Sequence, residues 1–278
     1  MLQIGASHRL LWNLPLDKSI QKLAEIGYRC IELWAEPPHL IPAQFSADGR
    51  THLLNLLSEL AVEPTVHAGS WDLNISSLNP TIRRISIDLV KESIDLAADI
   101  NAKLVAVHPG RASSSKGEAQ ETRNTLIKAL HELVEKANSK GIVLALENME
   151  QRPREIITTS NDLKTLIQEV NSPRLVGLVD IAHANTVTDP IGFLKDCLSI
   201  LGHVHISDNN GLSPTHLPLG KGTIDLTKIF QTLVEEEYDG KVVIEGFFST
   251  DPIEAAEADL EYSARLIQQT TSGKNQLK

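Results

Sequence analysis

The sequence predicts a single (β/α)8 TIM barrel of the α/β class. Three observations predict it: eight short β-branched apolar runs, eight amphipathic segments in strict alternation with them, and no linker or low-complexity run that divides the chain. The strand segments are 2–6, 30–34, 64–68, 104–108, 142–147, 175–180, 203–207 and 241–245. Each is five or six residues long and most are rich in Val, Ile, Leu or Ala, the length and composition of a strand buried on both faces.

The helical segments follow in turn. The first, 17–27, places Ile20, Leu23, Ala24 and Ile26 on one face and closes at Gly27. The second covers about 48–61. The third and fourth, 82–100 and 120–140, are longer and equally periodic, and the fourth stops at Gly141. Further helices fit 160–170, 190–201, 225–237 and 253–269. The expected domain is 1–270, followed by a polar tail, 271–278. An open doubly wound sheet is disfavoured because no GxGxxG follows the first strand.

Composition narrows the function classes. The 278 residues are 41% hydrophobic and 22% charged, enough for one large core. The net charge of -10 argues against a broad nucleic-acid surface. No run nears the ~20 apolar residues of a membrane span, and no basic start precedes an apolar stretch. Cys30 and Cys197 form no CxxC pair, so a reducing cytoplasm is the simplest expectation.

The ionisable residues fall at strand ends. The third strand ends in His67, the fourth in His108, the fifth in Glu147 and the sixth in Asp180. The seventh carries His205 and the eighth ends in Glu245. In a barrel these ends share one mouth, where the βα loops build active sites. Alternation puts His203 and His205 on one face, with Val204 and Ile206 facing the helices. Carboxylates gathered at one mouth repel unless a cation compensates. Glu147, Asp180, His205 and Glu245 form a donor set suited to Mn²⁺, Mg²⁺, Co²⁺ or Zn²⁺.

These motifs resemble the xylose-isomerase-like barrel superfamily, which includes sugar isomerases and epimerases and the endonuclease IV group. The carriers are VHAGSWDLN, VHPGR, LENME, VDIAH, VHISDNN, LPLGKGTID and VVIEG, spread over nearly the whole chain. The resemblance implies that Glu147, Asp180, His205 and Glu245 hold a divalent metal. It also implies that Glu147 and Glu245 move a proton on opposite faces of a sugar-like hydroxy-carbonyl substrate. The alternative it implies is a zinc phosphodiesterase acting on abasic DNA, with His67 and His108 on a second metal and His183 and His216 on a third. Two departures count against that alternative. Pro214-Thr215-His216 stands where an Asp-x-His is expected, and GASHRLLWNL replaces a Gly-rich His-Val-Ser opening. His67, His108, His183 and His216 are therefore expected either at a second metal or against substrate.

Trp12, Trp34 and Trp71 follow or end the first three strands and are candidate sugar platforms. Lys221, between Gly220 and Gly222, is a candidate contact for a substrate anion. Glu32 shares a strand face with Trp34, so it is expected either to point into the site or, by slight preference, to form an ion pair with a nearby basic residue. The loop 110–118, with Arg111 and Ser113–Ser115, reads as solvated, and His8 and His39 receive no role. The expected partner is a small carbohydrate-like molecule, and a homo-oligomer is compatible with the sequence.

Overall fold

The computed structural model describes residues 2–116, 119–246 and 251–276. Eight strands form a closed parallel barrel in sequence order, with β8 returning to β1. They are β1 (Gln3–Ser7), β2 (Cys30–Trp34), β3 (Glu63–His67), β4 (Leu104–Val107), β5 (Val143–Glu147), β6 (Leu175–Asp180), β7 (Leu201–Ile206) and β8 (Lys241–Ile244). The surrounding helices are α1 (Leu16–Ile26), α2 (Ala47–Glu59), α3 (Pro80–Asp99), α4 (Ala119–Lys140), α5 (Ser160–Val170), α6 (Ile181–Asn185), α7 (Pro190–Cys197), α8 (Leu226–Glu235) and α9 (Pro252–Gln276).

Side-chain alternation sorts the strands into two faces. Ile31, Leu33, Val66, Val105, Val107, Leu144, Leu146, Val179, Val204, Ile206, Val242 and Ile244 join the main core beneath the helices. Each fully buried side chain of this kind stabilises that contact by about 1.5–3 kcal/mol. The alternate positions point to the barrel axis. Ala106, Ala145 and Leu178 form a separate buried cluster there, with Leu104 and Val176 against it. Two residues further along the same rows stand His108, Glu147 and Asp180. The axis is therefore apolar low down and ionisable at the C-terminal mouth.

The structure differs from the expected elements in four places. The seventh helix ends at Cys197, a 3-10 turn spans Leu198–Ile200, and β7 begins at Leu201 rather than 203. The register between β6 and β7 shifts at Gly177/Leu178. A Cβ on Gly202 would lie 2.3 Å from Val176, so glycine permits the two strands to approach there. The short α6 has no counterpart among the expected helices, because five residues are too few for a periodic signal. Most of the expected tail, 271–276, continues α9, while 277–278 lie outside the described residues. Of the loop 110–118, residues 117–118 also lie outside them. Ser113 Oγ accepts the Leu78 N–H at 3.0 Å, which ties this loop to the one after β3.

Candidate active site

The mouth brings Glu147, Asp180, His205 and Glu245 together. One ligand atom from each lies within 4.8 Å of the others, and all four residues are buried. Register explains part of this convergence. Asp180 sits beside His205 across β6 and β7, and His205 sits beside Val243, two residues before Glu245.

The atoms on the inside of this quartet are unsatisfied. Glu147 Oε1, Asp180 Oδ2, His205 Nδ1 and Glu245 Oε2 are buried and have no hydrogen-bond partner. The outer oxygens of the three carboxylates are each occupied. Glu147 Oε2 lies 3.1 Å from His108 Nε2 and 3.4 Å from His67 Nε2. Asp180 Oδ1 accepts the His183 N–H at 2.7 Å, capping α6. Glu245 Oε1 accepts from Arg9 Nη1 at 3.0 Å. Buried polar groups without partners are rare, so four inward ones at a single point mark a site.

Electrostatics sharpen the same point. His205 Nδ1 lies 2.7 Å from Glu245 Oε2 and 3.4 Å from Glu147 Oε1, without the alignment of a hydrogen bond. A neutral ring with its proton on Nε2 would turn a lone pair toward those anionic oxygens. A cation among the four atoms converts this repulsion into coordination. The donor set of three carboxylates and one imidazole fits Mn²⁺, Mg²⁺, Co²⁺ or Zn²⁺. Without a cation the cluster relies on protons. Burial opposes a charge on His205, yet Glu32, Glu245 and Glu147 hold its pKa well above the usual histidine range. Burial, together with Glu147 and Glu245, pushes the Asp180 carboxyl up. Burial also disfavours the Glu147 anion, but His108 and His205 overcome it and hold that group well below the usual carboxylate range.

Four further histidines surround the quartet, each held through one ring nitrogen or by Glu147. His67 Nδ1 lies 2.8 Å from the Ala68 carbonyl, and His183 Nδ1 lies 2.9 Å from that of Asn148. His216 Nδ1 meets Ser207 Oγ at 2.9 Å. Two three-residue groups result, His67–His108–Glu147 and Asp180–His183–His216. His216 thus reaches Asp180 despite Pro214.

A cavity of about 690 Å³ opens above the quartet. Its wall includes Trp34, Trp71, His108, Glu150, His183 and His216. Trp71, 44% exposed, presents a ring to this space. Trp34 lines it too, but its ring is already covered. The Arg9 guanidinium lies 3.5 Å from the ring centroid and the His67 ring stacks at 3.8 Å, leaving Trp34 2% exposed. Trp12 does not line the cavity; its ring lies tilted against His39 at 4.2 Å and meets Trp71 edge-on at 5.9 Å. Lys221 is exposed and outside the cavity wall. The glycines beside it serve Asp208 instead: the N–H groups of Gly220 and Gly222 donate to Asp208 Oδ2 at 3.1 and 2.8 Å.

Several residues of the site were not legible beforehand. Arg9 is buried against Glu245 although 236 positions separate them. Asn148 ties the ends of β5 and β6, donating to the Asp180 carbonyl at 3.2 Å and accepting the Asp180 N–H at 2.8 Å. Glu36 accepts the Trp71 N–H at 2.7 Å and so fixes the loop that carries Trp71. His8 is buried, and burial pushes it down to about 3; its neutral Nδ1 accepts the Trp34 N–H at 3.0 Å. The one available signal was at Asp180, where Asp-x-x-His after a strand is the spacing of a helix N-cap.

Comparison with known proteins agrees with this architecture. The family model of the xylose isomerase-like TIM barrel matches residues 20–266. An uncharacterized protein of Methanocaldococcus jannaschii is 30% identical over 265 residues, covering 94% of this chain and 89% of its own length. The fructoselysine 3-epimerase of Shigella flexneri is 28% identical over 240 residues, covering 84% and 86%. The crystal structure of a D-tagatose 3-epimerase-like protein superposes with a TM-score of 0.87 at 27% identity, over 97% of this chain and 100% of that one. Because the matched segment spans seven strands and every residue of the quartet, the chain belongs to the xylose isomerase-like TIM barrel family.

Proposed function

We propose that this protein is a divalent-metal-dependent epimerase or isomerase of a ketose or related hydroxy-carbonyl sugar. The observation that carries the reading is the convergence of four buried, unpartnered ligand atoms from Glu147, Asp180, His205 and Glu245. The sugar 3-epimerase names of the relatives support a ketose with inversion at the carbon beside its carbonyl. When bound, a divalent ion held by these four residues supplies positive charge beside a substrate carbonyl and hydroxyl. Glu147 and Glu245 are the acid/base pair. One removes the proton beside the carbonyl and the other returns one to the opposite face of the resulting enediolate. His67 and His108 hold the outer oxygen of Glu147, and Arg9 holds that of Glu245, so both carboxylates keep fixed positions. His183 and His216 lie where they can bond substrate hydroxyls. Trp71 covers an apolar sugar face and excludes water.

The test is deuterium exchange from D₂O into ketoses, aldoses and their phosphates, after chelation and with each metal restored. Exchange should require an added ion. Glu147→Gln and Glu245→Gln should each slow it at least ~10³-fold, the upper part of the range for one general acid or base. Unimpaired exchange in both variants would sink the assignment.

A second reading, a multi-zinc phosphodiesterase, is favoured by the two histidine groups that flank the quartet. Nicking of abasic duplex DNA by the zinc-loaded protein, with no exchange on any sugar, would select it.

A further inference from the structure

We infer that Glu32 is a positioning residue for the metal-binding quartet: its carboxylate, buried under the mouth on β2, fixes His205 so that Nδ1 faces Glu147, Asp180 and Glu245. The inference rests on the proposal that a divalent ion binds those four residues.

Glu32 is fully buried and lies on the inward row of β2, two residues before Trp34. Its two oxygens engage different groups. Oε1 lies 2.9 Å from His205 Nε2. Oε2 accepts from His203 Nε2 at 3.0 Å and from the Thr65 hydroxyl at 3.1 Å. The carboxylate therefore spans from β2 to β3 on one side and across the barrel to β7. Among the described residues, its ion-pair partners are these two histidines and no lysine or arginine.

Imidazole chemistry supplies the reason. A neutral ring carries its proton on one nitrogen and a lone pair on the other. A carboxylate beside Nε2 favours the proton there and leaves Nδ1 as the donor, and it raises the basicity of that donor. The close approach of Oε1 to Nε2 is not aligned as a hydrogen bond in this structure. The anchor is on the other oxygen, where His203 and Thr65 hold the carboxylate against turning. This also explains why histidines occupy two successive inward positions of β7. His205 faces the quartet, and His203, one layer below, braces the group that orients it.

The experiment is a titration of chelated protein with Mn²⁺, following free ion by electron paramagnetic resonance, for wild type, Glu32→Gln, Glu32→Asp and Thr65→Val. A parallel ¹⁵N spectrum of the Zn²⁺-loaded protein reads the protonated nitrogen of His205. Glu32→Gln should raise Kd by 10- to 100-fold, the usual effect of removing such a partner. It should also weaken or shift the His205 Nε2–H signal. Glu32→Asp should recover part of the affinity. Thr65→Val keeps the carboxylate, loosens its anchor, and should weaken binding by a smaller factor, which keeps the test open if Glu32→Gln does not fold. Wild-type binding with an unchanged Kd in Glu32→Gln overturns this inference alone, as does an unaltered Kd and His205 signal in Thr65→Val. Failure of the wild type itself to bind any ion overturns the quartet reading, and this inference with it.

Discussion

Asp208 and Asp180 are both fully buried carboxylates near the same end of the barrel, and the chain treats them in opposite ways. Asp208 sits in the loop after β7 with every oxygen occupied. Oδ1 accepts from the backbone of Asn209 and Ile224, and Oδ2 from Gly220 and Gly222. Asp180 spends one oxygen on capping α6 and leaves the other buried without a partner, aimed at three more such atoms. The first anion is finished by its own loop and organises structure. The second keeps an acceptor that no hydrogen-bond donor among the described residues fills. Burial alone therefore does not separate the two carboxylates; the unfilled acceptor does.

The sharpest way to break this comparison is to neutralise each anion in turn. Asp180→Asn keeps a good helix cap but removes a charged ligand. Its affinity for Mn²⁺ should fall at least ~10³-fold, or about 4 kcal/mol. The ion-free variant should melt no lower than ion-free wild type, because like charges at the mouth are relieved. A loss of stability without a loss of ion affinity would place Asp180 with Asp208.

Asp208→Ala should do the reverse. Four backbone donors lose their acceptor, and urea unfolding should show a loss of about 3–5 kcal/mol. Gly222→Ala tests the same loop from the other side. A Cβ there would stand 2.3 Å from both the Asn209 carbonyl and Asp208 Oδ1, so the loop must open.

Asp259 lies between these extremes. On α9 it accepts the Leu219 N–H at 2.8 Å through one oxygen, while the other is unpartnered, and burial pushes it up to about 7. The folded state thus holds a proton that the unfolded chain releases near pH 4. The contribution of Asp259 to stability is therefore greatest below that value and falls as pH rises toward 7. Asp259→Asn keeps the acceptor without the charge. It should flatten the fall between pH 4 and 7 and gain on the order of 2 kcal/mol at pH 8, read from melts across that range. A pH profile identical to wild type would contradict the assignment.

Lys221→Ala is the smallest expected change. The flanking glycines work through their backbone, and the lysine lies outside the cavity, so KM for an active sugar should stay within about twofold. A large rise would restore Lys221 to the site.

Much of this was legible in sequence because of period two. Once a strand is recognised, alternation decides which residues face the axis, and the ionisable ends of six strands follow from reading the rows upward. His205 and Glu245 could be placed this way without any knowledge of neighbours. The helices were legible through their 3.6-residue stripes wherever they ran long enough. Short α6 carried no stripe, and the helix signal of 190–201 ran on past Cys197 because the 3-10 turn and early β7 remain equally apolar.

The sequence by itself determined the alternating βα order, the closed barrel it implies, and the side chains offered to the mouth. Local periodicity is sufficient for that, since it fixes the face of each residue. Only the tertiary structure decided which of those side chains meet. Closing the barrel set Glu32 against His203 and His205, Arg9 against Glu245 and Trp34, and the glycines beside Lys221 around Asp208. The Glu32 and Arg9 pairings depend on how strands far apart in sequence are staggered around a common axis, and the Asp208 pairing on the path of one folded loop; no local period carries either relation.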